Sequence, residues 1–270
     1  KECRKVLQKI EPENTVNDLI GQMEVEIEKD RNSAVGWRYL MQPWLRTPLM
    51  IAVCIMFFQQ FVGINTVIYY SPKIFLMAGF ESTLSAIWAS VGIGIVNVVF
   101  TVISLYLVDR IGRRKLYFIG LSGIAFSVLC LSACFIYANQ LGEIGRWLMV
   151  IFMFGYVAFF AISIGPLGWL VISEIFPQKV RGLGTSIGSL AVWIFNCIVS
   201  FTFFKIIDFF SIPGTEIVVG QTTSENPAGA FFLYGFIAVL GLVWGYLFLP
   251  ETKGLSLEEI EQKWRKNREC

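Results

Sequence analysis

Six stretches of this chain are apolar for long enough to cross a lipid bilayer: residues 48–72, 83–108, 115–138, 146–174, 182–209 and 229–249. A crossing takes about 20 mostly apolar residues in an α-helix, because hydrocarbon offers no partner to a free backbone N–H or C=O. Charge content agrees: 16% of the residues are Asp, Glu, Lys or Arg, where a soluble domain carries about 25%. The chain therefore reads as an all-α integral membrane protein. A six-helix bundle is expected over 46–250, with a cytosolic helical linker over 1–45 and a cytosolic C-terminal helix over 251–270.

Loop charge orients the bundle, since Lys and Arg favour the cytoplasmic side. They crowd the N-terminal segment, the loop after the second span (Arg110, Arg113, Arg114, Lys115), the loop after the fourth (Lys179, Arg181) and the tail. The alternate loops hold only Lys73, Arg146 and Lys205. Both termini are thus expected in the cytoplasm, with the bundle in the plasma membrane. The opening residues lack Met and any signal-peptide pattern, so the chain reads as a piece of something longer.

In the linker, Val16, Leu19, Ile20, Met23 and Ile27 fall on one helical face, and in the tail Ser256 and Glu259 make a capping box. Both segments read as short helices packed on each other or on the base of the bundle. SIPGTEIVVGQTTSENPAG reads as a polar outer loop.

Histidine is absent, and the cysteines are scattered without metal-ligand or disulfide spacing. No catalytic dyad lies within a span. Enzyme chemistry, a cofactor, a metal and nucleic acid are therefore not expected.

What remains unusual is polarity inside the first span. FFQQFVGINTVIYY places Gln59, Gln60 and Asn65 in apolar surroundings, where each unmet amide group costs several kcal/mol, roughly. On an ideal helix Gln59, Gly63, Thr66 and Tyr70 share one stripe, with Gln60 on one side and Asn65 and Tyr69 on the other. That arc is too wide for one seam, and local unwinding near Gly63 or before Pro72 would gather it. Asn97 in the second span, Trp169 after the helix-loosening GPLG of the fourth, and Trp193 and Asn196 in the fifth add amides and indoles. No acid or base lies near a span centre. A neutral, hydroxyl-rich solute suits such a wall, because amides both donate and accept and an indole covers a C–H face. Bridging between helices would use the same amides.

At the cytoplasmic ends, VDRIGRRK puts Asp109 beside Arg110, Arg113 and Arg114, and SEIFPQKVRG puts Glu174 near Arg181. Acid–Arg pairs at neighbouring helix ends would latch one conformation and part in another.

The segments QQFVGINTVIYYSP, DRIGRRKL, GPLGWLVISEIFPQKVRG and PETKG stand in an order and spacing that resembles the C-terminal half of a sugar porter of the major facilitator superfamily. The resemblance covers nearly the whole chain. It implies helices seven to twelve of a fold made of two six-helix bundles, with a monosaccharide between this half and an N-terminal half. It further implies that Gln59, Gln60, Asn65, Asn97, Trp169 and Trp193 bind the sugar. Tyr69 and Tyr70 would form an outer gate, and Asp109, Arg113, Arg114, Glu174 and Arg181 an intracellular salt-bridge network. Val192 stands where relatives often place an amide before the Trp of helix eleven, so one hydroxyl contact is in question. The expected function is alternating-access transport of a hexose or pentose in symport with protons. A uniporter, a polyol or inositol carrier, or a transporter-like sugar sensor stay open.

Overall fold

The computed structural model describes residues 37–80, 82–211, 217–219 and 222–254, together with Val16, Ile20, Gly21, Glu259, Ile260, Gln262 and Trp264. Most of the amphipathic linker face, and Ser256 of the capping box, lie outside the described residues. Among those residues six segments are long and apolar enough to cross a membrane. They comprise helices α1 (Arg46–Phe61), α2 (Ile64–Met77), α3 (Thr83–Ile111), α4 (Arg113–Ile136), α5 (Ala138–Ile162), α6 (Ile164–Ile175), α7 (Arg181–Phe209) and α8 (Ala228–Phe248).

The first and fourth spans are each two half-helices. Between α1 and α2 the chain turns through Gly63 at φ +87°, a left-handed conformation that a Cβ disfavours. A Cβ there would also sit 2.3 Å from the ring of Tyr234. The break leaves the Val62 carbonyl without a helical partner, and the buried Tyr156 hydroxyl donates to it at 2.8 Å. Thr66 closes the other side by donating its hydroxyl to the Gly63 carbonyl at 2.7 Å. Between α5 and α6, Ser163 leaves helical geometry at φ −127°, ψ −103°. Pro166, which has no N–H to give, follows three residues later. The sequence places the start of the fourth span at residue 146, whereas helix begins at Ala138 and is interrupted at Gly142 (φ 53°).

α4 is the hub: it packs on α5 and α8, while α7 packs on α1, and α3 on α5 and α2. Small residues allow the close approach that stands in for a hydrophobic drive inside lipid. On α8, Gly241 and Gly245 lie against Leu121 and Tyr117 of α4, and the Tyr117 hydroxyl donates to the Gly241 carbonyl at 3.0 Å. Just before α8, Asn226 accepts from the Ala228 N–H and donates to the Phe135 carbonyl, both at 2.9 Å. Within its most apolar window α4 is 61% buried and α3 only 11%. α3 therefore leaves most of its apolar surface uncovered by this bundle.

Two details lie outside the six spans. The loop between α7 and α8 holds a small antiparallel hairpin, β1 (Ile217–Val219) with β2 (Thr222–Ser224), in which Val218 is in register with Thr223. In the tail, residues 251–254 form a non-helical link, and helix is present at residues 259, 260, 262 and 264. Ile260 of that tail is buried, and Trp264 packs on the bundle core.

Candidate functional site

The two broken spans face each other across a pocket of about 330 Å³. Its polar lining comes from α1 (Gln59, Gln60), α2 (Asn65, Tyr69), α3 (Asn97, Thr101) and α7 (Asn196), and its rings from α6 (Trp169) and α7 (Trp193). Phe160, Ala161 and Val192 supply apolar wall. The unwinding at Gly63 is what gathers Gln60 and Asn65 onto one side, as the helical-wheel argument requires.

Three amides are linked in series. Gln59, 3% exposed, donates from Nε2 to the backbone carbonyls of Ile164 (3.1 Å) and Gly165 (2.7 Å) in α6. Its Oε1 accepts from Gln60 Nε2 at 3.3 Å. Gln60 Oε1 in turn accepts from Asn65 Nδ2 at 2.6 Å. The approach of Gln59 depends on Gly168, where a Cβ would come 2.9 Å from Nε2. Across the pocket Asn97 Oδ1 accepts from Thr101 Oγ1 at 3.3 Å. On α7, Asn196 donates to the Tyr69 hydroxyl at 3.3 Å and accepts from Ser200 at 3.1 Å.

Trp169 (47% exposed) and Trp193 (66%) line the cavity with much of their surface open. No side chain lining the pocket is charged. The wall can therefore exchange neutral hydrogen bonds and cover an apolar ring face, and it offers nothing to compensate an ion.

The two tyrosines expected as an outer gate part company. Tyr69 lines the pocket. Tyr70 turns into the bundle, where it stacks on Phe203 (centroids 5.5 Å, 8° between planes) and its hydroxyl donates to the Ser200 carbonyl at 3.4 Å. Successive residues on a helix point about 100° apart, and the break sets α2 so that only Tyr69 of the two reaches the pocket.

At the end of the bundle where α3 turns into α4, Arg113 Nη2 meets Glu174 Oε1 at 2.8 Å and Asp109 Oδ1 at 3.2 Å. The Arg113 and Glu174 side chains are 13% and 20% exposed, so this pair is largely desolvated. Among the described residues the Arg114 side chain joins no acid: Nη2 donates to the Tyr246 carbonyl at 2.8 Å, and the guanidinium lies 5.9 Å from the Tyr246 ring. As the residue after Arg113, it leaves the helix on the α8 side. Arg181 Nε and Nη2 are buried with no partner among the described residues.

Sequence reasoning missed the acid that completes this end. Glu251 accepts from the backbone N–H groups of Arg113 (3.1 Å) and Arg114 (3.2 Å), capping the first turn of α4. Gly112 leaves the room, since a Cβ there would stand 2.9 Å from Glu251 Oε2. Thr252 donates to Glu174 Oε2 at 2.5 Å, and Lys253 Nζ to the Arg110 carbonyl at 2.6 Å. PETKG carried the signal as a motif, but no residue-type rule links a tail acid to a helix start 138 positions away. Thr101 was missed likewise, although its i+4 spacing from Asn97 was readable.

Comparison with known proteins places this geometry in context. The family model described as "Sugar (and other) transporter" matches residues 1–264. The glucose transporter GlcP of Staphylococcus epidermidis is 38% identical over 229 residues, which is 85% of this chain and 47% of that protein. The D-xylose-proton symporter of Escherichia coli K12 is 35% identical over 241 residues, 89% of this chain and 46% of that protein. Among solved structures, the proton:xylose symporter XylE bound to 6-bromo-6-deoxy-D-glucose superposes with a TM-score of 0.73 at 32% identity. That match covers 97% of this chain and 51% of the XylE chain. The chain spans about half the length of the curated relatives it matches.

Proposed function

The chain belongs to the sugar (and other) transporter family, and from that premise we propose that it forms one wall of a carrier moving a monosaccharide, hexose or pentose, across the plasma membrane in symport with protons. The six spans match half of a major facilitator fold. An N-terminal six-helix half of the same protein would supply the other wall, and the poorly buried α3 is suited to meet it. Both ends of the present half would face the cytoplasm.

One observation carries the reading: the pocket joins a run of neutral amides to two open indole faces, with no charge in its lining. A sugar presents hydroxyls that donate and accept at its rim and C–H groups on its faces. Asn65, Gln60, Asn97 and Asn196 answer the rim, and Trp169 and Trp193 the faces. Transport then needs no covalent step. It needs the cavity to open to each side in turn, and the breaks at Gly63 and Ser163 let α2 and α6 tilt without unwinding the rest of their spans.

The cytoplasmic cluster holds one of those states. Arg113 joins α3, α4 and α6 through Asp109 and Glu174, while Glu251 and Thr252 tie in the chain after α8. Closed, this cluster seals the inner end, which leaves the pocket open outward. The described half carries no acid at a span centre, so the proton-carrying group belongs to the other half.

The test is uptake of labelled xylose, glucose and galactose by the full-length protein in vesicles, with and without an imposed pH gradient, beside Asn65→Ala. Saturable uptake driven uphill by protons and weakened by the substitution is expected. Downhill uptake alone would replace symport with uniport, and binding without uptake would make the protein a sensor. Neither binding nor uptake of any sugar would overturn the substrate class.

A further inference from the structure

A hydroxyl on a membrane helix ordinarily gives its hydrogen to the backbone carbonyl four residues back. Ser90, Thr185, Ser189 and Thr202 do so, at 2.7–2.9 Å. Two hydroxyls depart from this. Thr101 donates to the side-chain oxygen of Asn97 at 3.3 Å, and Ser200 to that of Asn196 at 3.1 Å. Both asparagines line the pocket. Turned round, either amide would meet its hydroxyl with an N–H, and the hydroxyl hydrogen would lose its acceptor.

The two pairs stand at matching places. The first and fourth spans carry the breaks at Gly63 and Ser163, and the spans that follow them, α3 and α7, carry the amide–hydroxyl pairs. Successive spans cross in opposite senses, so α3 and α7 run opposite ways. Thr101 lies about 6 Å along the helix from Asn97 towards one membrane face, and Ser200 about 6 Å from Asn196 towards the other. Each hydroxyl draws Oδ1 to its own side and turns Nδ2 away. Asn97 Nδ2 meets no acceptor among the described residues. Asn196 Nδ2 gives one hydrogen to the Tyr69 hydroxyl at 3.3 Å and keeps the other.

We infer that Thr101 and Ser200 are positioning residues that hold Asn97 and Asn196 as donors, so that the second and fifth spans each offer a bound solute an N–H and not a carbonyl. This rests on the sugar-transport reading and refines it: two sugar oxygens must accept, one from each of these spans. Each hydroxyl acts through its asparagine.

Paired deoxy and deoxyfluoro sugars read this polarity, because C–F accepts weakly and cannot donate, while C–H does neither. Each is measured as a competitor of labelled sugar uptake by the full-length protein. At the ring position facing Asn97 the deoxy sugar should lose about tenfold and the fluoro sugar only about threefold against the parent. Thr101→Val keeps the shape and removes the hydroxyl. Asn97 is then free to turn its oxygen inward, and the gap between the two analogues should close. Thr101→Ser should keep it. Ser200→Ala should close the gap at a different ring position and leave this one. Thr101→Cys, whose S–H is a weak donor, should give an intermediate gap, which covers the case in which Thr101→Val fails to fold.

A gap that survives Thr101→Val, or one that Thr101→Ser also closes, would overturn the inference. So would a single ring position that answers to both hydroxyls. Side-chain amide exchange in the sugar-free, 15N-asparagine-labelled protein gives a reading independent of transport. The two Asn97 hydrogens should exchange at like rates, and the two of Asn196 at unlike rates. Unlike rates at Asn97 mean a hydrogen given to Thr101, which would refute the orientation even in an active transporter. Like rates in a protein that moves no sugar would uphold the orientation and fell the transport reading instead.

Discussion

Replacing Gly63 by alanine loads two separate strains onto one position. The first is backbone: an L-residue at φ +87° costs about 1–2 kcal/mol relative to glycine. The second is packing: the new Cβ would stand 2.3 Å from the Tyr234 ring. That ring is 2% exposed, stacked toward Phe203 at 6.5 Å and edge-on to Phe231 at 6.4 Å, so it has nowhere to swing. Overpacking of this kind costs about 1–3 kcal/mol. Gly79 isolates the backbone part, because its φ is +92° and a Cβ there meets nothing within 4 Å. The difference between Gly63→Ala and Gly79→Ala should therefore be about 2 kcal/mol, or roughly 30-fold in the unfolding equilibrium. Denaturant unfolding of the full-length protein in detergent, followed by Trp fluorescence, measures it. Since Asn65 follows Gly63 by two residues, KM for sugar should rise in Gly63→Ala and hold in Gly79→Ala. Equal destabilisation of the two variants would refute the account of the break as a left-handed turn packed on Tyr234.

Tyr156→Phe strands the Val62 carbonyl in a dry interior and should lower stability by about 1–3 kcal/mol in the same unfolding assay. Glu251→Ala uncaps α4 and should cost about 1 kcal/mol; Glu251→Gln, which keeps an acceptor, should recover part of the loss. Glu174→Gln removes the partner charge of Arg113 and should favour the inward-open form, read as faster labelling of a single cysteine placed in the inner cavity of the full-length protein. Trp169→Ala should raise KM about five- to tenfold by removing one ring face, with unfolding unchanged because Trp169 is 47% exposed.

The spans, their order and the chemical character of the pocket were legible in the sequence, because the bilayer imposes a length and a polarity that residue types report directly. Gln59, Gln60 and Asn65 announced themselves as amides with no lipid to satisfy them, and Gly63 as the place where the helix would have to break to gather them. Acid–Arg pairing was readable for Asp109 with Arg113, but the sequence set Glu174 beside Arg181, and the packing gives it to Arg113 instead. Which neighbour each polar atom meets was not. Tyr70 and Arg114 differ from Tyr69 and Arg113 by one position, about 100° of helix rotation, and only the packing of α2 on α7 and of α4 on α8 decides which of each pair turns inward. The commitment of Gln59 to the Ile164 and Gly165 carbonyls spans more than a hundred residues, as does that of Glu251 to the start of α4. Local sequence sets what a side chain is able to do, and the distances across the bundle set what it does.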